Sequence, residues 1–423
     1  MSCVVPRIVI IGGGFGGLWA AKRLARAPVD VLLIDRRNHH VFSPLLYQVA
    51  TAGLSPGDIA SPIRWILRGQ NNLKVWLADA TAVDVKRKVV QLADGEVPYD
   101  HLIIAAGSQP AYFGHDDWAQ HARGLKTMED AIAMRQQVLV AFERAERERD
   151  RDRQRKLLTF VVIGGGATGV ELAGALAEIS RHALTFEFKS IHPETARVIL
   201  IEGGQELLAT YIPPLSAFAR RSLEKLGVAV WTGTRVTAIE PGLIRMGSET
   251  LEAHTILWAA GVVAAPIGAT LGAPLDRGGR VLVNPDLTVP GCDTVYVVGD
   301  MAALNDKDGR PLPGVSQVAM QQAKWAADNI MHTIAGEPRT PFVYRNLGNM
   351  ATIGRHKAVG DLGWIRIKGY LAWWFWLLLH IYWLIGFRNR LTVMTQWAFS
   401  YFTYQRSTRL ITGNDTSDEP PPH

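Results

Sequence analysis

The chain has 423 residues, a formal net charge of +6, 48% hydrophobic and 20% charged residues, and two cysteines. That length supports two or three domains with ample core, and the composition excludes a disordered chain. Cys3 and Cys292 lie 289 positions apart, which excludes a disulfide framework and a Cys-rich zinc or iron–sulfur ligand set.

In chain order, Arg7 to Ile11 is an apolar run that predicts a buried strand, entered without the basic and apolar regions of an export signal. A reducing, cytoplasmic setting is therefore expected. The run ends in Gly12-Gly13-Gly14-Phe15-Gly16-Gly17, and Leu18 to Ala27 predicts a helix. Val31 to Ile34 predicts a parallel strand ending at Asp35, with Arg36 next to it. Glu129 to Lys156 reads as one long helix whose segment Glu143 to Lys156 holds five acids and seven bases, a solvated connector face.

The same grammar returns 152 residues after the first turn. Thr159 to Ile163 is an apolar strand, Gly164-Gly165-Gly166-Ala167-Thr168-Gly169 the turn, Val170 to Ile179 a helix, and Val198 to Ile201 a strand ending at Glu202. Further strands lead to Val295-Tyr296-Val297-Val298-Gly299-Asp300, and Ser316 to Thr333 predicts a helix. An internal repeat of a dinucleotide-binding unit is the main organisational feature.

A single G-x-G-x-x-G is weak evidence, because glycine-rich turns also arise from packing alone. Here each copy lies between a strand and a helix and is followed by a strand ending in an acid. Gly12 makes the tight turn, Gly14 lets backbone N–H groups reach a pyrophosphate, and Gly17 lets helix and strand pack closely; Gly164, Gly166 and Gly169 repeat these roles. Asp35 and Glu202 are placed to accept ribose hydroxyls, and Glu202 repels a 2′-phosphate, which favours NADH over NADPH. The distance from Gly164 to Glu202 requires an insertion around Arg181 to Thr195. The 12 histidines show no HExxH spacing, and no serine-hydrolase or P-loop signature is present.

Together these stretches resemble the type II NADH dehydrogenases, single-chain FAD-containing NADH:quinone oxidoreductases of respiratory membranes. Pro44 to Thr51, with Tyr47 and Gln48, resembles the segment lining the flavin. Leu102 to Gly107, with Ala106 and Gly107, and Leu257 to Gly261, with Ala260 and Gly261, resemble the loops closing the FAD and NADH units. Val297 to Asp300 resembles the motif whose Asp bonds the ribityl and phosphate part of the flavin. Gly169-Val170-Glu171-Leu172 resembles the start of the helix whose Glu lies beside nicotinamide and flavin, although an early helical Glu also suits the helix dipole.

The most discriminating match is Ser316-Gln317-Val318-Ala319-Met320-Gln321-Gln322, which resembles the quinone motif A-Q-x-A-x-Q-Q with Ser316 in place of Ala. Gln317 and Gln321, spaced i, i+4, share a helix face suited to a quinone carbonyl. The resemblance implies an α/β fold with two Rossmann-like domains and a C-terminal amphipathic anchor. The expected division is an FAD-binding domain in two parts, 1–117 and 271–361, a connecting helix 118–156, an NADH-binding domain 157–270, anchoring helices 362–412 and an acidic, proline-rich tail 413–423. The implied reaction is hydride transfer from NADH to FAD, followed by two-electron reduction of a membrane quinone, with no proton pumping. The rival readings are a soluble electron acceptor and a non-catalytic redox sensor. Relatives that reduce disulfides or oxidise sulfide need paired cysteines, which this chain lacks.

Location gives the charge its meaning. Leu362 to Asn414 contains no acid and six bases, Arg366, Lys368, Arg388, Arg390, Arg406 and Arg409, so the excess positive charge belongs to one short segment and no nucleic-acid partner is expected. Trp364 to Tyr404 holds 14 of the 36 aromatic residues. Tyr370 to Phe387 is 18 residues long with His380 as its strongly polar member, at the lower limit for a span. In the next stretch, to Gln405, Leu391, Met394, Ala398, Tyr401 and Phe402 share a helical face. A monotopic anchor on anionic lipid at the cytoplasmic face is expected, with a homodimer interface as the competing reading of the same aromatic face. His380 is either near the quinone path or a core residue.

Overall fold

The structure is a computed structural model that describes residues 5–403 and 408–412. The expected tail 413–423, Cys3, Gln405 and Arg406, and the side chain of Phe402, lie outside the described residues. The helices used below are, in chain order, α1 Phe15–Arg23, α2 Met128–Arg147, α3 Arg151–Leu157, α4 Ala167–Glu178, α5 Ser316–Ala335, α6 Tyr370–Trp383 and α7 Phe387–Thr403.

The chain divides into two compact units. The first comprises residues 1–42, 60–111 and 261–348. Its six-stranded sheet runs Thr288–Val289, Cys292–Val297, His101–Ile104, Arg7–Ile11, Asp30–Asp35 and Leu73–Leu77, parallel except at the first pair. Ile8, Val9, Ile10 and Leu33 are fully buried, as an unbroken apolar run demands when both faces of a parallel sheet are covered. A three-stranded antiparallel meander spans Ala80–Asp84, Val89–Leu92 and Gly95–Pro98.

The second unit comprises residues 43–59, 112–260 and 349–423. Its five-stranded parallel sheet runs Ala122–Gly124, Thr255–Trp258, Thr159–Ile163, Arg197–Ile201 and Val228–Trp231. It too carries a meander, Ala238–Glu240, Leu243–Met246 and Glu249–Glu252. The repeat therefore extends beyond the glycine turns: strand, helix, two neighbouring strands, meander and closing strand occur in both units. Residues 43–59 and 349–361, expected with the FAD-binding parts, pack in this second unit.

Two long helical expectations break. The run from Glu129 is not one helix, because Glu148 is extended and Asp150 caps a new helix by accepting from the N–H groups of Asp152 and Arg153. Nor is its charged face without purpose: Glu146 accepts from the N–H groups of Lys189, Ser190 and Ile191 and so ties down the insertion before Glu202. That insertion is a π-helical turn, Ile179–Ala183, followed by a loop and a short 3₁₀ turn, Pro193–Thr195.

The apolar segment after Tyr370 also divides. The helix α6 ends at Trp383, and Gly386, at φ +93°, turns the chain into α7. Among the described residues no helix is long and apolar enough to cross a membrane. In α7, Leu391, Met394 and Ala398 are exposed as one face, but Tyr401 belongs to the opposite side with Asn389, Val393 and Trp397, which are buried or half-buried.

Candidate functional site

In the first unit the glycine turn is built as its spacing predicts. Gly12 sits at φ +99°, and a Cβ there would lie 2.4 Å from the Ala105 carbonyl oxygen; one on Gly17 would lie 1.7 Å from the Gly12 oxygen. Gly14, which precedes α1, has open space where a side chain would stand and no side-chain cap on the helix. The unsatisfied N–H groups of the first helical turn thus face room for a pyrophosphate. The Asp35 carboxylate accepts from the N–H groups of Gly13 at 2.5 Å and Arg37 at 2.7 Å, while Arg36 is exposed. Asp300 lies in a 3₁₀ turn and accepts from the Ser108 hydroxyl at 2.5 Å, just beyond Gly107 at φ +72°. The glycine cradle and the two carboxylates fit an FAD.

The helix α5 gives its three glutamines different roles. Gln321 spends both ends of its amide on one residue, donating to the Arg345 carbonyl at 2.9 Å and accepting from its N–H at 3.0 Å. Gln317 donates to the Gly348 carbonyl at 2.9 Å, and its Oε1 is buried without a protein partner among the described residues. Gln322, to which the sequence assigned no role, is fully buried and accepts from Gly299 N–H at 2.7 Å, so it holds the loop that presents Asp300. The shared face expected of Gln317 and Gln321 is present, with Gln321 bonded to the backbone of Arg345.

Two cavities in the second unit gather residues singled out by the sequence. The larger, about 660 Å³, opens over the second glycine turn and is lined by Gly164, Glu202, Arg235, Trp258, Ala260 and Phe113. Gly164 is at φ +113°, and a Cβ on Gly169 would lie 1.8 Å from the Gly164 oxygen. Glu202 accepts from Gly165 N–H at 2.5 Å, the counterpart of the Asp35 bond, and from Gly204 N–H at 2.6 Å. Gly166 is open, and Thr168 is exposed in the first turn of α4.

The smaller cavity, about 120 Å³, brings Tyr47 and Gln48 together with Glu171, Thr352, Trp376 and Trp397. Glu171 is buried and accepts from Thr352 N–H at 3.3 Å. Burial pushes its carboxyl up to about 8, against the weaker pull of the Thr352 bond. A helix-dipole role would act in the opposite sense, so burial dominates. A relay of side chains runs beside it: Trp397 Nε1 donates to Gln48 Oε1 at 2.8 Å, and Gln48 Nε2 donates to the Tyr47 hydroxyl at 2.9 Å. Arg355 fastens this wall, its guanidinium donating to the carbonyls of Ser400 and Tyr401 and its N–H to the Glu178 carboxylate.

Sequence reasoning missed Thr352, Arg355 and Trp397. Trp397 had a usable signal, its place in the aromatic-rich segment, but its partner Gln48 is 349 residues away. His380 is stacked on Trp376 at 4.2 Å with Nδ1 2.7 Å from the Trp376 carbonyl, and burial pushes its imidazole down to about 4. It is therefore uncharged near neutral pH.

Comparison with known proteins covers nearly the whole chain. The profile of the pyridine nucleotide-disulphide oxidoreductases matches residues 6–323, and that of the NDH2 C-terminal domain matches residues 346–405. The chain is 44% identical to the type II NADH:quinone oxidoreductase NdhA of Mycobacterium tuberculosis, covering 96% of this chain and 89% of NdhA. It is 43% identical to Ndh of the same organism, covering 96% and 90%. Among solved structures, NDH2 of Plasmodium falciparum in complex with NADH superposes with a TM-score of 0.88 at 21% identity, covering 97% of this chain and all of that one.

Proposed function

Because the chain belongs to the type II NADH:quinone oxidoreductases, within the pyridine nucleotide-disulphide oxidoreductase family, we propose how its own residues divide the work of that reaction. The reaction is the oxidation of NADH by quinone without proton pumping. FAD, when bound, would supply the redox chemistry that links hydride donation by NADH to two-electron reduction of quinone. In the first unit the backbone around Gly14 holds the FAD pyrophosphate, Asp35 its adenine ribose, and Asp300, steadied by Ser108 and Gln322, its ribityl and phosphate part. In the second unit Glu202 holds the adenosine ribose of NADH.

The observation that carries the quinone assignment is Glu171, a buried acid on the wall of a cavity that also presents Tyr47 and Gln48. Reduction of a quinone by NADH consumes one proton beyond the hydride. With its carboxyl pushed up to about 8, Glu171 is mostly protonated near neutral pH and delivers that proton to a quinone oxygen. In the first unit Gln317 and Gln321 share a face of α5 suited to a quinone carbonyl, Gln317 bonded to the Gly348 carbonyl and Gln321 to the backbone of Arg345. The variant Glu171→Gln keeps shape and loses the transferable proton. In stopped flow it is expected to slow flavin reoxidation by quinone about 100-fold. Unchanged rates of both flavin reduction by NADH and reoxidation by quinone would sink the assignment.

The outer faces of α6 and α7 are the proposed lipid contact. Leu371, Phe375, Leu378 and Tyr382 form one exposed stripe, and Leu391, Met394 and Ala398 another. Apolar stripes beside an acid-free, basic sequence suit the anionic cytoplasmic face of a membrane.

A further inference from the structure

Phe113 stands at the rim of the cavity that holds Glu202, with its backbone in the left-handed region at φ +54° and 69% of its surface exposed. Bulky residues adopt that conformation rarely, and where they keep it the site is commonly a ligand clamp. An exposed phenyl ring also forgoes burial. The two costs coincide on one residue beside the second glycine turn.

The ring is held from behind by fixed neighbours. Tyr112 donates its hydroxyl to the Ala122 carbonyl at 2.8 Å and stacks on Trp258 at 5.1 Å. Phe113 lies 6.2 Å from the same Trp258 ring, and Gly114, at φ +90°, turns the chain away. The loop therefore presents Phe113 rather than leaving it loose. Glu202, which lines the same cavity, marks where a ribose sits, and the base on that ribose must occupy neighbouring space in the 660 Å³ volume. A flat aromatic face at that rim matches a purine.

We propose that Phe113 stacks on the adenine ring of NADH and supplies affinity for the adenosine half of the substrate. This rests on the assignment of the cavity to NADH. The interaction is remote from the nicotinamide, so it binds ground state and transition state alike and acts on KM rather than kcat.

The test compares NADH with reduced nicotinamide mononucleotide, which lacks adenosine, on the FAD-loaded enzyme with a short-chain quinone. Phe113→Ala is expected to raise the KM for NADH about tenfold. Its kcat should stay unchanged, as should both constants for the mononucleotide, and Phe113→Tyr should stay near wild type. Phe113→Gly should show the same KM rise while keeping or raising the melting temperature, because glycine relieves the left-handed backbone. An NADH KM within about twofold of wild type in the Ala and Gly variants, or an equal loss with the mononucleotide, overturns the proposal. A wild-type enzyme that failed to oxidise NADH would instead remove the underlying assignment.

Discussion

Glu171 shows how one side chain couples function to stability. Burial pushes its carboxyl from the ordinary 4.5 up to about 8, so across that interval the folded chain binds a proton that the unfolded chain has released. The stability contributed is fully present below 4.5 and is lost as pH rises through about 8. Glu171→Gln removes this dependence because an amide does not titrate. The melting temperature of the variant relative to wild type should therefore be near zero at about pH 5 and several degrees positive at about pH 9. Scanning fluorimetry of the FAD-loaded proteins across that range reads the difference. An offset independent of pH would mean that the buried carboxyl does not titrate as its surroundings dictate.

At the scale of elements, α7 matters because one face closes the Glu171 cavity while the other is exposed. Trp397 joins that inner face to the segment 46–50 through its bond to Gln48. Trp397→Phe keeps an aromatic ring and deletes only the N–H donor, which leaves Gln48 Oε1 without that partner. A lost hydrogen bond of about 1 kcal/mol corresponds to roughly a fivefold rise in quinone KM. The rate of flavin reduction by NADH should not change. If reduction slows as much as reoxidation, the bond supports the fold rather than the quinone site.

The sequence announced some of these elements and hid others for physical reasons. Both glycine turns, their acids and the central strands were legible, because buried parallel strands are apolar throughout and the turns require glycine. The meanders were not, since strands such as Gly95–Pro98 are short and half-exposed and leave no alternating pattern. The break between α2 and α3 was masked by a run of charges whose decisive member, Asp150, acts as a cap rather than as a surface charge. The bonds of Gln321 to the backbone of Arg345 were hidden because a backbone partner has no sequence signature. The Glu171 cavity draws its walls from positions near 47, 171, 352 and 397, a grouping that only folding creates.

For the molecule as a whole, the +6 net charge equals that of the six bases between Leu362 and Asn414, so its electrostatic face is that of one short segment. Charge alone attracts an anionic surface weakly at physiological salt, because exposed charges are screened within about 8 Å. Durable attachment needs apolar burial as well, and the proposed source is the stripe of α6: Leu371 is 69% and Leu378 62% exposed, one turn on either side of Phe375. Replacing these three with Ser removes apolar area without touching a residue that lines the Glu171 cavity. Burying each such side chain is worth about 1.5–3 kcal/mol, so affinity for vesicles containing anionic lipid should fall at least about 100-fold. Turnover with a short-chain quinone and the melting temperature should be unchanged. Added salt should weaken the wild type only partly, because it screens the basic residues and leaves the apolar stripe in place. Co-sedimentation with vesicles and sedimentation velocity without them separate lipid from the competing occupant, a second copy of the chain. A variant that keeps its vesicle affinity while a wild-type dimer dissociates to monomers would assign this face to self-association.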